Sequence, residues 1–382
     1  MEVPHQRAVV HAHSLINAKR QYGGMRIVID NRGVSEADLS ATLHMVSEAN
    51  ADATHPLIVA FTDASALIAL QGWQPPPNAY PEFNHDWLAQ AEARAMLVEG
   101  KFPHWSLNGT PAEALDAALK KSLVYSVGPG AGKRIAGKAS VRTGVRTHVD
   151  ADTAFGLGID WIAGWPLQAP DTSGNRRSGD NRTITIRLMQ LAQSDADISE
   201  IDKLLRQDSA LAFKLLRSIN SAAVGLSVQV QSFQHAVMIL GYQRLARWLA
   251  VLLMSSGDGP NQLPLSKLAL RRGFFVERIV RLVFAEGNPD EPFMVGLFSL
   301  LDLILGRPFS ELLGQLHLAD AVANSLRDHG EPYGPLLKLA EAIESDDAVA
   351  IREYTQSLGL DSGDVNRAVL MAIRDADRVE LA

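Results

Sequence analysis

The strongest constraint on the fold is a break near the middle of the chain, where hydrophobic periodicity disappears. Residues 168–182 read QAPDTSGNRRSGDNR, which is rich in turn formers and charge and typical of a linker. The chain has 382 residues, enough for two or three domains. Strand-like and helix-like runs alternate before the break, and helix-like runs follow it. We predict an α/β domain over residues 1–167, a linker over 168–182 and an all-helical domain over 183–382.

The N-terminal part alternates between two kinds of pattern. Apolar runs typical of buried strands occur at Arg26–Asp30, Pro56–Phe61 and Leu123–Val127, and Lys138–Val141 is also strand-like. Ser35 is predicted to be the N-cap of a helix over Glu36–Glu48. This alternation predicts a mainly parallel sheet or a barrel. Because a complete eight-fold barrel usually needs about 250 residues, we expect a trimmed or incomplete barrel.

The C-terminal part has helical periodicity throughout. Asp197 and Glu200 frame a helix start, and Ser232 caps a helix that Gly241 ends. Further helices are predicted over residues 242–255, 266–285, 292–305, 318–328, 334–345, 348–358 and 363–378. These segments predict a compact helical bundle.

Composition narrows the class of protein. The net charge is -7, so broad affinity for nucleic acid or anionic membranes is not expected. The absence of cysteine excludes disulfides and thiolate chemistry. The first residues lack the apolar core of a signal peptide, and the run Trp248–Met254 is too short to cross a bilayer. A cytoplasmic protein is expected.

A family resemblance appears in the helical half. The stretch LLRQDSALAFKLLRSINSAAVGLSVQVQSFQHAVMILGYQRLARWLAVL (204–252) resembles the HDOD domain, the HD-related output domain of bacterial signalling proteins. Residues 292–318 resemble the second half of the same domain. The chain is similar to the YuxH-like subgroup, which carries an EAL-type domain in front. This resemblance implies an incomplete EAL-like (β/α) barrel followed by an all-helical HDOD bundle.

The EAL resemblance lies in Ala154–Pro166, which is similar to the last strand of an EAL phosphodiesterase domain. An active EAL domain hydrolyses cyclic di-GMP with carboxylates that hold two metals. Where the first glutamate of that family is expected, this chain has Gly24-Met25-Arg26-Ile27, so that a cation replaces a carboxylate. Ala163 likewise replaces the glutamine before the final glycine. Glu113 of a Glu-Ala-Leu tripeptide is better explained by a helix N-terminus.

The metal ligands of a true HD phosphohydrolase are also missing. An adjacent His-Asp pair is expected after the Gly-Leu pair, but the chain reads Gly296–Leu300 without either residue. Asp302 lies nearby, and one carboxylate cannot hold a metal. The pair His85-Asp86 has no ligand set spaced around it. For His11 and His13, which share one face of a predicted strand, a surface or barrel-lining role is expected.

The segment Gly128–Lys133, GPGAGK, resembles a phosphate loop only superficially. Its first glycine is misplaced, and Arg134 stands where a magnesium-binding Ser or Thr is needed. A basic loop between strands is the simpler interpretation. Because Lys138, Arg142 and Arg146 add positive charge, contact with a nucleotide or phosphate stays open.

Three hypotheses follow for function. The first is a non-catalytic signal transduction protein that binds an unknown protein partner, with no catalytic, cofactor-binding or metal-binding residues and no cofactor. The second is a receptor that binds cyclic di-GMP in the degenerate EAL-like domain without hydrolysis. The third is a metal-dependent phosphodiesterase.

Overall fold

The structure is a computed structural model that describes most of the chain. The described residues are 6–109, 117–128, 137–165, 180–194, 196–205, 215–216, 219–220, 230, 233–255, 262–284, 290–316 and 318–379. They form two compact units, one of Met1–Gln168 with Glu341–Leu370 and one of Ala169–Ala340 with Met371–Ala382. The division predicted from the sequence assigned residues 341–370 to the helical domain, whereas their contacts group them with the N-terminal unit.

The N-terminal unit contains a closed barrel of eight strands in sequence order. The strands are β1 (Val9–Asn17), β2 (Tyr22–Asp30), β3 (Leu57–Phe61), β4 (Ala79–Asn84), β5 (Trp105–Asn108), β6 (Leu123–Gly128), β7 (Ala139–Arg142) and β8 (Trp161–Ala163). Strand β1 is antiparallel to both of its neighbours, β2 and β8, and the other pairs are parallel. The predicted α/β barrel followed by helices is confirmed.

The expectation of an incomplete barrel is wrong in one respect, since the ring of strands is complete. The domain is shorter than a typical eight-stranded barrel because some of its connections and strands are short. Strand β8 has 3 residues, and helix α2 between β3 and β4 has 7. The helices of this part are α1 (Glu36–Ala49), α2 (Ala66–Gly72), α3 (Ala91–Val98), α4 (Ala117–Ser122) and α5 (His148–Gly156), and a 3-10 helix covers His85–Ala89.

Local sequence signals explain where the longer elements begin. Helix α1 starts where the Ser35 side chain accepts a hydrogen bond from the backbone N–H of Asp38. Helix α5 starts with a reciprocal capping box between Thr147 and Asp150. Every residue of β3 is buried, as expected for a parallel strand covered on both faces.

The helical elements after the barrel follow the predicted pattern. They are α6 (Asp180–Gln193), α7 (Ile198–Leu205), α8 (Phe233–Ser255), α9 (Gln262–Val283), α10 (Asp290–Phe298), α11 (Leu301–Leu305), α12 (Phe309–Leu316), α13 (Asp320–Asp328), α14 (Gly334–Glu344), α15 (Ala348–Ser357) and α16 (Ser362–Arg378). Gly241 interrupts α8 with φ 74° and ψ 168°. The predicted helix end at Gly241 is therefore confirmed, because this left-handed conformation favours glycine.

One segment, His235–Ser255, is long and apolar enough to cross a membrane by length and composition. About 61% of its most apolar window is nevertheless buried, as in the core helix of a folded domain. Because Gly241 interrupts this segment, its longest continuous helical part is residues 242–255, about 21 Å at 1.5 Å per residue. That is shorter than the hydrocarbon core of a bilayer, about 30 Å.

Candidate functional site at the mouth of the barrel

The lumen of the barrel is identified by residues that meet across it. Buried side chains from five different strands form one cluster, made of Leu15, Ile58, Tyr125, Val127, Val141 and Ala163. Because side chains alternate along a strand, those beside these residues in register also face inward. Arg26 pairs in register with Ile58 and with His13, and Glu82 lies two residues beyond Tyr80, which packs on the cluster. Arg26, His13 and Glu82 are therefore lumen residues.

A buried ion pair crosses the lumen between β2 and β4. Arg26 donates from Nε to Oε2 of Glu82 at 2.9 Å and from Nη2 to Oε1 at 2.7 Å. The side chains are 9% and 2% exposed. Burial opposes the charge on Arg26, but the Glu82 carboxylate outweighs it and raises the pKa of Arg26. The sequence shows Arg26 where a carboxylate of the EAL family is expected. In the structure its charge is balanced by Glu82, which the sequence analysis did not identify.

Two histidines of β1 contact a segment from near the C-terminus of the chain. His11 Nδ1 lies 2.7 Å from the carbonyl oxygen of Ser345, which it can only meet as a donor. His13 Nε2 lies 3.1 Å from Oδ1 of Asp346. Burial lowers the pKa of His11. The hydrogen bond from His13 lowers the pKa of Asp346 to about 2. Of the two roles expected for His11 and His13, surface or barrel-lining, the structure shows the barrel-lining one.

A second carboxylate at the same mouth, Asp30, ends strand β2 and is 1% exposed. Arg32 donates to its Oδ1 at 2.8 Å, and Thr62 donates to the same oxygen at 2.8 Å. Arg352 of α15 forms an ion pair with its Oδ2 at 2.8 Å. Burial alone raises the pKa of a carboxyl, but these three partners hold the pKa of Asp30 well below its usual range.

Asp30 ends β2 and Glu82 lies two residues before the end of β4, so these carboxylates lie toward the carboxyl ends of the parallel strands, where (β/α) barrels carry functional residues. Ser345, Asp346 and Arg352 belong to the same compact unit as the strands, and they engage the groups that face this end. The mouth carboxylates Asp30, Glu82 and Asp346 each have a cationic or histidine partner. The negative charges of these carboxylates are therefore balanced by side chains of the same protein.

The described part of the chain offers few side chains that could bind a metal ion together. No group of three or more His, Cys, Asp or Glu side chains converges there. His85 Nδ1 lies 3.6 Å from Oδ1 of Asp86, whose side chain is 98% exposed. Asp302 lies in α11, where burial raises its pKa. A carboxyl with a raised pKa is a poor partner for a metal ion.

Other residues considered from the sequence lie in less informative places. Ala163 ends β8, and Gly164 follows it with φ 103°. Gly128 ends β6, whereas residues 129–136 of the phosphate-loop-like segment lie outside the described residues. Glu113 and Ser232 also lie outside them. The sequence reading missed Glu82, Ser345, Asp346 and Arg352.

Comparisons with known proteins identify the helical part. Residues 182–316 match the model of the HDOD domain, and the chain therefore contains this domain. The chain is 29% identical to the cyclic di-GMP phosphodiesterase CdgJ of Vibrio cholerae over 60% of this chain and 54% of that protein. It is 29% identical to the uncharacterized protein YuxH of Bacillus subtilis over 41% of this chain and 39% of that protein. It thus spans about half or less of the curated relatives that it matches.

Solved structures that resemble the chain include two with bound c-di-GMP. The PaMucR phosphodiesterase complex has 16% sequence identity and a TM-score of 0.31, covering 43% of this chain and 96% of that chain. The FimX EAL domain from Pseudomonas aeruginosa has 14% identity and a TM-score of 0.29, covering 42% of this chain and 90% of that chain.

Proposed function

We propose that this chain is a non-catalytic regulator of bacterial signal transduction, which binds a protein partner through its HDOD domain in a pathway related to cyclic di-GMP. The single observation that carries the absence of catalysis is the Arg26–Glu82 pair in the lumen. A guanidinium at this position repels a divalent cation and occupies both oxygens of the nearest carboxylate. The similarity to CdgJ supports the link to the nucleotide pathway.

The contacts among the charged groups at the mouth also support the proposal. A cyclic dinucleotide carries two phosphates, and a protein usually meets phosphate with arginine or backbone N–H groups. Arg26 and Arg352 are both engaged by carboxylates, and Ser345 and Asp346 contact β1 where a ligand would enter. A phosphate would therefore have to compete with these carboxylates for Arg26 and Arg352.

The test is calorimetry of the full chain with cyclic di-GMP and Mg²⁺, followed by an assay of the nucleotide for hydrolysis. We expect neither binding heat nor turnover. Hydrolysis would refute the loss of catalysis, and binding without hydrolysis would make the barrel a receptor in place of the proposed closed domain.

A pair of variants sharpens the result. Asp346→Ala removes the contact with His13 at the mouth, while Glu353→Ala removes an exposed carboxylate from the same helical segment and serves as the matched control. If the mouth is closed by its own residues, any binding gained should appear in Asp346→Ala alone. If the wild type binds the nucleotide and the two variants bind it equally, the binding site lies elsewhere.

The protein-binding half of the proposal has its own measurement. We expect the immobilised full chain to capture a discrete protein from a lysate of a bacterium that encodes the chain. A variant that lacks residues 182–316 should not compete with the full chain for this protein. Capture that depends only on the barrel would contradict a partner-binding role for the HDOD domain.

A further inference from the structure

An open pocket lies at the end of the barrel opposite to the mouth. It has a volume of about 1120 Å³ and lies where β1 ends and where β7 and β8 begin. We propose that this basal pocket, which is lined by Lys19, Lys138, Phe155, Asp160 and Trp161 among others, binds a nucleoside phosphate. The site is distinct from the mouth described above and does not depend on the regulatory role proposed there.

The first lysine projects from a rigid turn between β1 and β2. Asn17 Oδ1 accepts from the backbone N–H of Gln21 at 2.9 Å, and Asn17 Nδ2 donates to Oε1 of Gln21 at 3.0 Å. Arg20 adopts a left-handed conformation with φ 60°, and its guanidinium pairs with Asp152 and lies 5.2 Å from the ring centre of Phe155. The turn is therefore held at both ends, and Lys19 is presented without the ordering cost of a free loop.

The charge of the basal pocket favours an anion. Among the described residues, neither Lys19 nor Lys138 has an ion-pair partner, and both line the pocket. The carboxylate of Asp160 is engaged by Ser140, since its Oδ2 accepts from the backbone N–H and from the side-chain hydroxyl of Ser140 at 2.8 Å and 2.7 Å. These bonds hold the start of β7 to the start of β8. The two ammonium groups are left to meet a phosphate.

The aromatic side of the basal pocket favours a ligand that also carries a planar ring. Trp161 is half-buried, and its position is fixed because the indole lies directly on the backbone of Gly23, where an added Cβ would stand 2.0 Å from the ring. Phe155, also half-buried, lines the same pocket. A base can stack on such a fixed aromatic surface. Lysines beside fixed aromatic rings therefore suit a nucleoside phosphate better than inorganic phosphate alone.

The experiment is titration of the full chain with GTP, ATP and inorganic pyrophosphate, monitored by calorimetry and by tryptophan fluorescence. We expect saturable nucleotide binding that weakens as salt is raised, with weaker binding of pyrophosphate. Lys19→Ala and Lys138→Ala should each weaken binding by about tenfold, the usual cost of one charge-assisted contact. Lys120→Ala and Lys121→Ala, which change exposed lysines of the same unit, should leave it unchanged.

Three results would overturn the proposal. They are no binding of either nucleotide by the wild type at millimolar concentration, equal loss in the control and pocket variants, and pyrophosphate binding as tight as that of the nucleotides, which would remove the role of the rings. Far-UV circular dichroism of each variant checks folding, and because Lys19 and Lys138 make no described ion pair, their replacement should not lower the melting temperature. Trp161→Phe offers a further check, since it keeps an aromatic ring and should retain most of the affinity.

Discussion

The buried Arg26–Glu82 pair gives a quantitative test of how the lumen is stabilised. Replacing Arg26 by Met leaves the Glu82 carboxylate, 2% exposed, without its bidentate partner. Breaking a buried pair by removing one partner typically costs about 3–5 kcal/mol, whereas replacing both with apolar groups of similar volume is often neutral or stabilising. We expect Arg26→Met and Glu82→Leu each to lower the free energy of unfolding by about 3 kcal/mol, and the double variant to lie within about 1 kcal/mol of the wild type.

Intrinsic fluorescence is a suitable probe because tryptophan is concentrated in the barrel. The tryptophans at 73, 87, 105, 161 and 165 belong to the N-terminal unit, and Trp248 is the exception. Urea unfolding in a Trp248→Phe background therefore reports the barrel transition. The reasoning is refuted if the double variant loses the sum of the two single losses, because the pair would then contribute by packing and not by mutual charge compensation.

Two further predictions concern other paired charges. Because the pKa of Asp30 is lowered in the folded state, its stabilisation is present above its unfolded pKa and is lost as pH falls below that value, so acid denaturation monitored by fluorescence should be less steep in Asp30→Asn than in the wild type. In the helical unit, Arg247 pairs with Glu277 at 2.6 Å and Asp290 at 3.3 Å and stacks on Phe293 at 3.6 Å. Arg247→Ala should cost about 3 kcal/mol in urea unfolding, and the exposed Arg244→Ala, its control, less than about 0.5 kcal/mol; equal losses would refute a structural role for the cluster.

Local features of the fold could be predicted because their causes are local. The N-cap at Ser35 and the helix end at Gly241 each depend on a few neighbouring residues, and both occur where expected. Strand β4, AYPEFN, was missed because it contains a proline and lacks regular apolar alternation. Glu82 was therefore not placed on a strand, although Arg26, its partner on β2, was singled out as an unusual cation.

The closing segment could not be predicted for a different reason. His13 and Asp346 are 333 positions apart, and no periodicity or motif links residues at such a separation. The local sequence around Asp346, Glu344–Asp347, indicates only a break between two helices. Tertiary packing decides which strand the residues between these two helices contact. The contacts of Ser345, Asp346 and Arg352 became visible only in the structure for this reason.

The role of Arg26 can be tested by placing a carboxylate at its position. Arg26→Glu would set two carboxylates against each other in the lumen, with Asp346 and His13 nearby, and like charges in a buried site repel. We expect a lower melting temperature than that of the wild type, and partial recovery in Mn²⁺, which accepts carboxylate and imidazole ligands. At a Mn²⁺ concentration 100 times its dissociation constant, binding to the folded state adds about 2.7 kcal/mol.

The matched control for this variant is Arg26→Gln, which removes the cation without adding a ligand. The wild type and Arg26→Gln should show no dependence of melting temperature on Mn²⁺, because neither side chain at position 26 adds a carboxylate next to Glu82. If Mn²⁺ stabilises Arg26→Gln as much as Arg26→Glu, the ion binds elsewhere. If it stabilises Arg26→Glu alone, the ion binds at the new carboxylate beside Glu82, and Arg26 supplies the counter-charge of Glu82 in the wild type.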